Sequence, residues 1–177
     1  MTDGLPLTHF YNLARLGHAG DVVTFVADDD QRTAIARWSG VLSVESLCVT
    51  VDIKKLASTR YGLSFNLTVD VTQACVVSLE PVPAHTVRGF SRELNFVGPA
   101  RRKLVTDESG PDLVLDGTEE EGPEEIENLQ YDLAGPVLEE YVLSLEPYPR
   151  APGVEFRTQT DALDQPESPF AVLKGLK

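Results

Sequence analysis

Two stretches of this chain alternate apolar and polar residues without a break. Leu47, Val49, Val51 and Ile53 fall on one side of an extended backbone, and Ser46, Cys48, Thr50 and Asp52 fall on the other. Successive strand side chains point to opposite faces, so this spacing predicts a half-buried β-strand. Leu63, Phe65, Leu67, Val69 and Val71 repeat the pattern against Ser64, Asn66, Thr68 and Asp70. The two strands are expected to pair antiparallel across the polar connection of residues 54–62. A third strand is expected from Val87 to Val97, after Pro81 and Pro83, with Phe90, Leu94 and Phe96 sharing a face. Three long alternating strands fit an antiparallel sheet with one face covered.

The cover comes from two predicted helices. Asp28, Asp29 and Asp30 suit the positive end of a helix over residues 29–39, Ala34, Ile35 and Trp38 supply an apolar stripe, and Gly40 ends it. A second helix is expected over residues 133–145. Asp132 caps it, Pro136 is tolerated in its first turn, and Val137, Leu138, Tyr141, Val142 and Leu145 form the stripe before Pro147 stops it. Nearer the start, the strand-like runs Phe10 to Leu16 and Val22 to Ala27 flank a glycine-containing turn and predict a hairpin or sheet entry. At the far end, Ser168 and Pro169 open a last helical turn whose Phe170 and Leu173 are expected to anchor it to the body. The 177 residues are thus expected to form a single α+β domain. Its expected frame is an antiparallel sheet of about five strands, with two to three helices packed on it.

Charge divides the chain sharply. From Asp107 to Glu146 there are fourteen acids and no Lys or Arg, so that segment carries -14 of a net -13. The remaining fifteen basic residues stand against fourteen acids, a balance of +1. Residues 98–131, rich in Gly, Pro, Asp and Glu, are expected to form a mobile acidic insertion, with Leu113, Val114 and Leu115 as a possible docking strand. Just before the acids, Arg88, Arg92, Arg101, Arg102 and Lys103 outnumber Glu93 over residues 85–103, for a local +4, and Lys54, Lys55 and Arg60 form a smaller group. The larger cluster is the candidate phosphate-binding surface for RNA. The alternative is intramolecular, the acidic segment folding back to neutralise it.

Other chemistry finds less support. No apolar run is long enough to span a bilayer, and Met1-Thr2-Asp3-Gly4 lacks the basic start and apolar run of a secretory signal, so the cytoplasm is the expected compartment. Two cysteines, Cys48 and Cys75, are too few for a disulfide scaffold. Structural zinc wants four ligands in close pairs, and Cys75 is followed by Val76, Val77 and Ser78, a Cys-x-x-Ser where a chelating pair would stand. Neither thiol has a neighbouring Lys, Arg or His, and no nucleophile elbow or phosphate loop occurs. No metal, cofactor or catalytic residue is therefore assigned. A metal-dependent hydrolase working through the loop acids is the enzymatic alternative.

Asp70-Val71-Thr72-Gln73-Ala74-Cys75-Val76-Val77-Ser78-Leu79-Glu80-Pro81-Val82 resembles the central motif of the YceD family, the large ribosomal RNA subunit accumulation proteins. Gln73, Cys75, Leu79, Glu80 and Pro81 are the residues that carry the likeness. Two further pieces follow in order. The stretch from Asp132 through Glu139-Glu140 to Glu146-Pro147-Tyr148-Pro149-Arg150 resembles the family's acidic-then-helical segment, and Ser168 to Lys174 resembles its closing motif. The resemblance covers about Phe10 to the end of the chain. It implies a non-enzymatic role in large ribosomal subunit biogenesis, through ribosomal RNA or a basic ribosomal protein. Family members with Cys-x-x-Cys at the central motif carry a metal-binding label; with Ser78 in the second cysteine's place and no cysteine after Arg150, that property is not implied here. An acidic interaction module or chaperone for a basic ribosomal protein, with no RNA contact, is the second reading.

Overall fold

The computed structural model describes residues 4–98 and 122–154. Its long strands are the three that alternation predicts, each longer than its apolar run: β3 (Ser43–Lys55), β4 (Arg60–Ala74) and β5 (Pro81–Phe96). With β2 (Asp21–Val26) and the short β6 (Glu124–Ile126) they make a five-stranded sheet in the order β2-β3-β4-β5-β6. Two further short strands, β1 (Phe10–Asn12) and β7 (Gln130–Asp132), form a separate two-stranded ladder. Among the described residues the α-helices are α1 (Asp29–Ser39) and α2 (Ala134–Ser144). The fold is α+β.

The sheet is mixed, which corrects the expectation of a purely antiparallel one. β2 through β5 are antiparallel neighbours, but β6 lies parallel to β5, pairing Leu94, Asn95 and Phe96 with Glu124, Glu125 and Ile126. A parallel neighbour needs a connection of roughly a dozen residues or more to bring the chain back to the same end, and the stretch from Phe96 to Glu124 is long enough. Of the two expectations for the first two runs, the second enters the sheet as β2, and the hairpin between them is corrected. β1 pairs with β7, more than a hundred residues away, and Leu13–Arg15 form a 3₁₀ turn instead of continuing the strand. Two stretches inside the predicted acidic insertion, β6 and the start of β7, are strands. The rest of that segment, residues 99–121, and the predicted closing turn at 168–173 lie outside the described residues.

One side of the large sheet is buried. Phe25, Val49, Val51, Ile53, Leu63, Phe65, Leu67, Val69 and Leu94 all point to it, and α1 and α2 lie over it through Ile35, Ala36, Val137, Leu138 and Tyr141. Phe65 and Phe90, directly opposite in the ladder, stack with ring centroids 4.6 Å apart. A register shift between Val44 and Ser46 lets both Val44 and Leu47 reach this core despite their odd separation.

Local chemistry sets the helix ends. Asp28 accepts from the Gln31 N–H at 2.8 Å while the Gln31 side chain accepts from the Asp28 N–H at 2.9 Å, a reciprocal cap, and Gly40 closes α1 at φ 73°. The predicted stripe on α1 shifts by a residue: Ile35 and Ala36 are buried, Ala34 is half-buried, and Trp38 stands 47% accessible at the stripe's edge. α2 opens at Leu133 without a side-chain cap of its own. Asp132 nevertheless serves that end, its Oδ1 accepting from the Ala134 N–H at 3.0 Å and from the His9 N–H at 2.7 Å. The same carboxylate thereby ties the strand before α2 to the start of the chain. A hydrogen bond of 3.0 Å between the Ser39 and Tyr141 hydroxyls joins the two helices. No helix among the described residues is long and apolar enough to cross a membrane.

Candidate functional site

The connection between β4 and β5, residues 75–80, holds Cys75, Leu79 and Glu80, with Gln73 and Pro81 on the flanking strands. It closes on itself: the Cys75 N–H donates to the Glu80 carbonyl at 2.8 Å and the Leu79 N–H to the Cys75 carbonyl at 3.0 Å. Inside this turn the Cys75 sulfur accepts N–H groups from Ser78 at 3.4 Å and from Ala151 at 3.3 Å. The Ser78 hydroxyl, helped by these amides and that of Val77, lowers the Cys75 thiol from its usual 9.0 to about 6. The side chain has no accessible surface, so this thiolate-favouring nest holds a loop together and offers no nucleophile to solvent.

The loop also gathers the segment that follows α2. The Gln73 amide donates to the Glu146 carbonyl at 3.0 Å, the Val76 N–H to the Pro149 carbonyl at 2.9 Å, and the Ala151 N–H reaches the Cys75 sulfur. Two stretches some seventy residues apart in sequence thus form one surface. At its tip Leu79 sits at φ +62°, a left-handed conformation that a leucine adopts at a cost of about 1 kcal/mol. Its side chain is 76% accessible, beside exposed Val76 and Tyr148. One thiol and one serine hydroxyl fall short of a four-ligand metal site, and among the described residues no three His, Cys, Asp or Glu gather.

The predicted cations are placed differently from one another. Arg88 and Arg92 do share a face of β5, but it is the face of Phe90 and Leu94, towards the helices. Arg88 is exposed. Arg92 donates to Glu139 of α2 at 2.9 Å and lines a hollow of about 410 Å³ with Glu124, Tyr131 and Asp132. Its positive charge is thus met by the protein's own carboxylates. Arg101, Arg102 and Lys103 lie outside the described residues. Within the smaller basic group, Lys55 lies 5.9 Å over the Tyr61 ring, and Arg60 pairs with Glu93 at 2.6 Å on the opposite side of the sheet from the core.

Across that opposite side runs a row that sequence reasoning missed. Ser46, Asp70 and His85 are ladder neighbours on β3, β4 and β5. Asp70 accepts from the Ser46 hydroxyl and meets His85 Nδ1 at 2.6 Å; the serine hydrogen bond first, then the histidine, lowers its carboxyl below the usual range. A nucleophile triad needs the histidine between acid and serine. Here the carboxylate is in the middle and takes the serine's hydrogen bond itself, so the imidazole does not sit on the hydroxyl. Alternation places all three on the polar side, but only the inter-strand register puts them in one row. No family model, curated protein or solved structure matches the chain.

Proposed function

We propose that this protein is a non-enzymatic factor in large ribosomal subunit biogenesis, acting in the cytoplasm on the accumulation of large-subunit ribosomal RNA. One observation carries the reading: the two segments that resemble the YceD family, residues 70–82 and 132–150, are distant in sequence and meet around Cys75. Arg88, Arg101, Arg102 and Lys103 supply the phosphate contacts in this reading, while Arg92 is engaged by Glu139. The test is binding of the purified full chain to large-subunit ribosomal RNA across a salt series. Affinity should fall with salt, and replacing residues 101–103 by Gln should flatten that slope by up to about three. An affinity indifferent to both changes refutes the phosphate model.

The Arg92–Glu139 pair also favours a second reading, an acidic module that holds a basic ribosomal protein without touching RNA. Recovery of basic ribosomal proteins in a pull-down after nuclease treatment, with no retained RNA, selects it.

A further inference from the structure

Leu5, Trp38 of α1, and Leu138, Val142 and Leu143 of α2 line an open apolar groove of about 500 Å³. Leu143 is 79% accessible, Leu5 49% and Val142 42%, so apolar side chains from three separate parts of the chain meet in water. The two helices are held at this spacing by the Ser39–Tyr141 hydrogen bond.

We propose that this groove seats the chain's own segment Pro169-Phe170-Ala171-Val172-Leu173. Beyond Val154 the sequence is mostly polar, and its longest unbroken apolar run is Phe170-Ala171-Val172-Leu173. Phe170 and Leu173 are three apart, the spacing that presents two side chains on one side of a helical turn, with Ser168 and Pro169 suited to its start. Charge agrees as well. Lys174 and Lys177 follow the run, whereas α2 carries Glu139 and Glu140 and no basic residue. Reach is not limiting: residues 155–168 can span up to about 46 Å, and α2 is about 16 Å long. The exit lies at the matching end of the molecule. Residues 149–151 bond to the Cys75 loop just past β4, and β4 in turn takes the Leu42 N–H on the Thr72 carbonyl at 2.9 Å, four residues beyond Trp38. Tethering makes the local concentration of the segment millimolar, so modest contacts suffice.

Trp38 is the chain's one tryptophan and lines the groove, so its emission reads occupancy directly. In the full chain, the double substitution Phe170→Asp with Leu173→Asp should shift Trp38 emission to the red. It should also raise acrylamide quenching, because the displaced segment no longer shields Trp38 from the quencher. Leu143→Asp, an exposed change on the groove side, should do the same, and a peptide of residues 166–177 should restore protection to the double variant in a saturable titration. Emission and quenching unchanged by both variants overturn the proposal. So does protection in the unsubstituted chain that disappears on dilution, because it places a second copy in the groove.

Discussion

The hydroxyl pair that joins α1 to α2 allows a prediction with an internal sign. Tyr141 has no accessible surface, and its hydroxyl meets Ser39 Oγ at 3.0 Å; Ser39 also donates to the Ile35 carbonyl at 2.8 Å. Burial raises the Tyr141 pKa, so the hydroxyl stays protonated across the ordinary pH range. In Tyr141→Phe the serine keeps its bond to Ile35, leaving no orphaned group, and the cost is that of one net hydrogen bond, about 1 kcal/mol. In Ser39→Ala the tyrosine hydroxyl stays buried with its partner gone, costing about 1–3 kcal/mol, of which the better helix propensity of Ala returns about 0.5. The double variant should resemble Tyr141→Phe alone, because no hydroxyl is left to satisfy. At about 2–4 °C per kcal/mol for a chain of this size, Ser39→Ala is expected to melt several degrees lower, and Tyr141→Phe less so. Urea and thermal melts followed by Trp38 emission measure all three. Fully additive losses would refute the reasoning, since they would mean that the two hydroxyls do not meet.

Four further outcomes are expected. Because the Cys75 thiol is lowered from 9.0 to about 6 in the folded state, the unfolded chain binds the extra proton between these values. The melting temperature of the unsubstituted protein relative to Cys75→Ala should therefore be greatest above pH 9, fall as pH drops towards 6 and level off below it; a pH-independent difference contradicts the sulfur nest. Gly20→Ala should destabilise by more than about 1 kcal/mol, as Gly20 has φ +79° and a Cβ there would sit 2.7 Å from the Ile53 carbonyl oxygen. Gly89→Ala, where the nearest atom is 3.6 Å away, should stay within about 1 kcal/mol of the original in the same denaturant melts. Arg92→Gln should cost at most about 1 kcal/mol, because both partners are substantially exposed, and that loss should shrink further in high salt.

What could be read from the sequence follows the range of the forces involved. The bounds of α1 were legible because Asp28, Gln31 and Gly40 decide them within a turn of the helix. β3 and β4 were legible because a two-residue period persists for most of their length. The parity that puts Phe90 and Leu94 in the core also puts Arg88 and Arg92 on the same side, a constraint present in the numbering itself. β6 and β7 were not legible: three residues hold too little periodicity, and their existence depends on partners elsewhere along the chain; β1 falls within the strand-like run Phe10 to Leu16, but its partner was not legible. The row Ser46, Asp70, His85 needed the exact strand register, and the meeting of Cys75 with Ala151 needed the tertiary fold.

The proposed role is tested most directly by ultraviolet crosslinking in living cells, followed by sequencing of the RNA bound to the purified protein. Enrichment of large-subunit ribosomal RNA, reduced when residues 101–103 are changed to Gln, is the predicted result. A protein that crosslinks no RNA above background contradicts direct RNA binding.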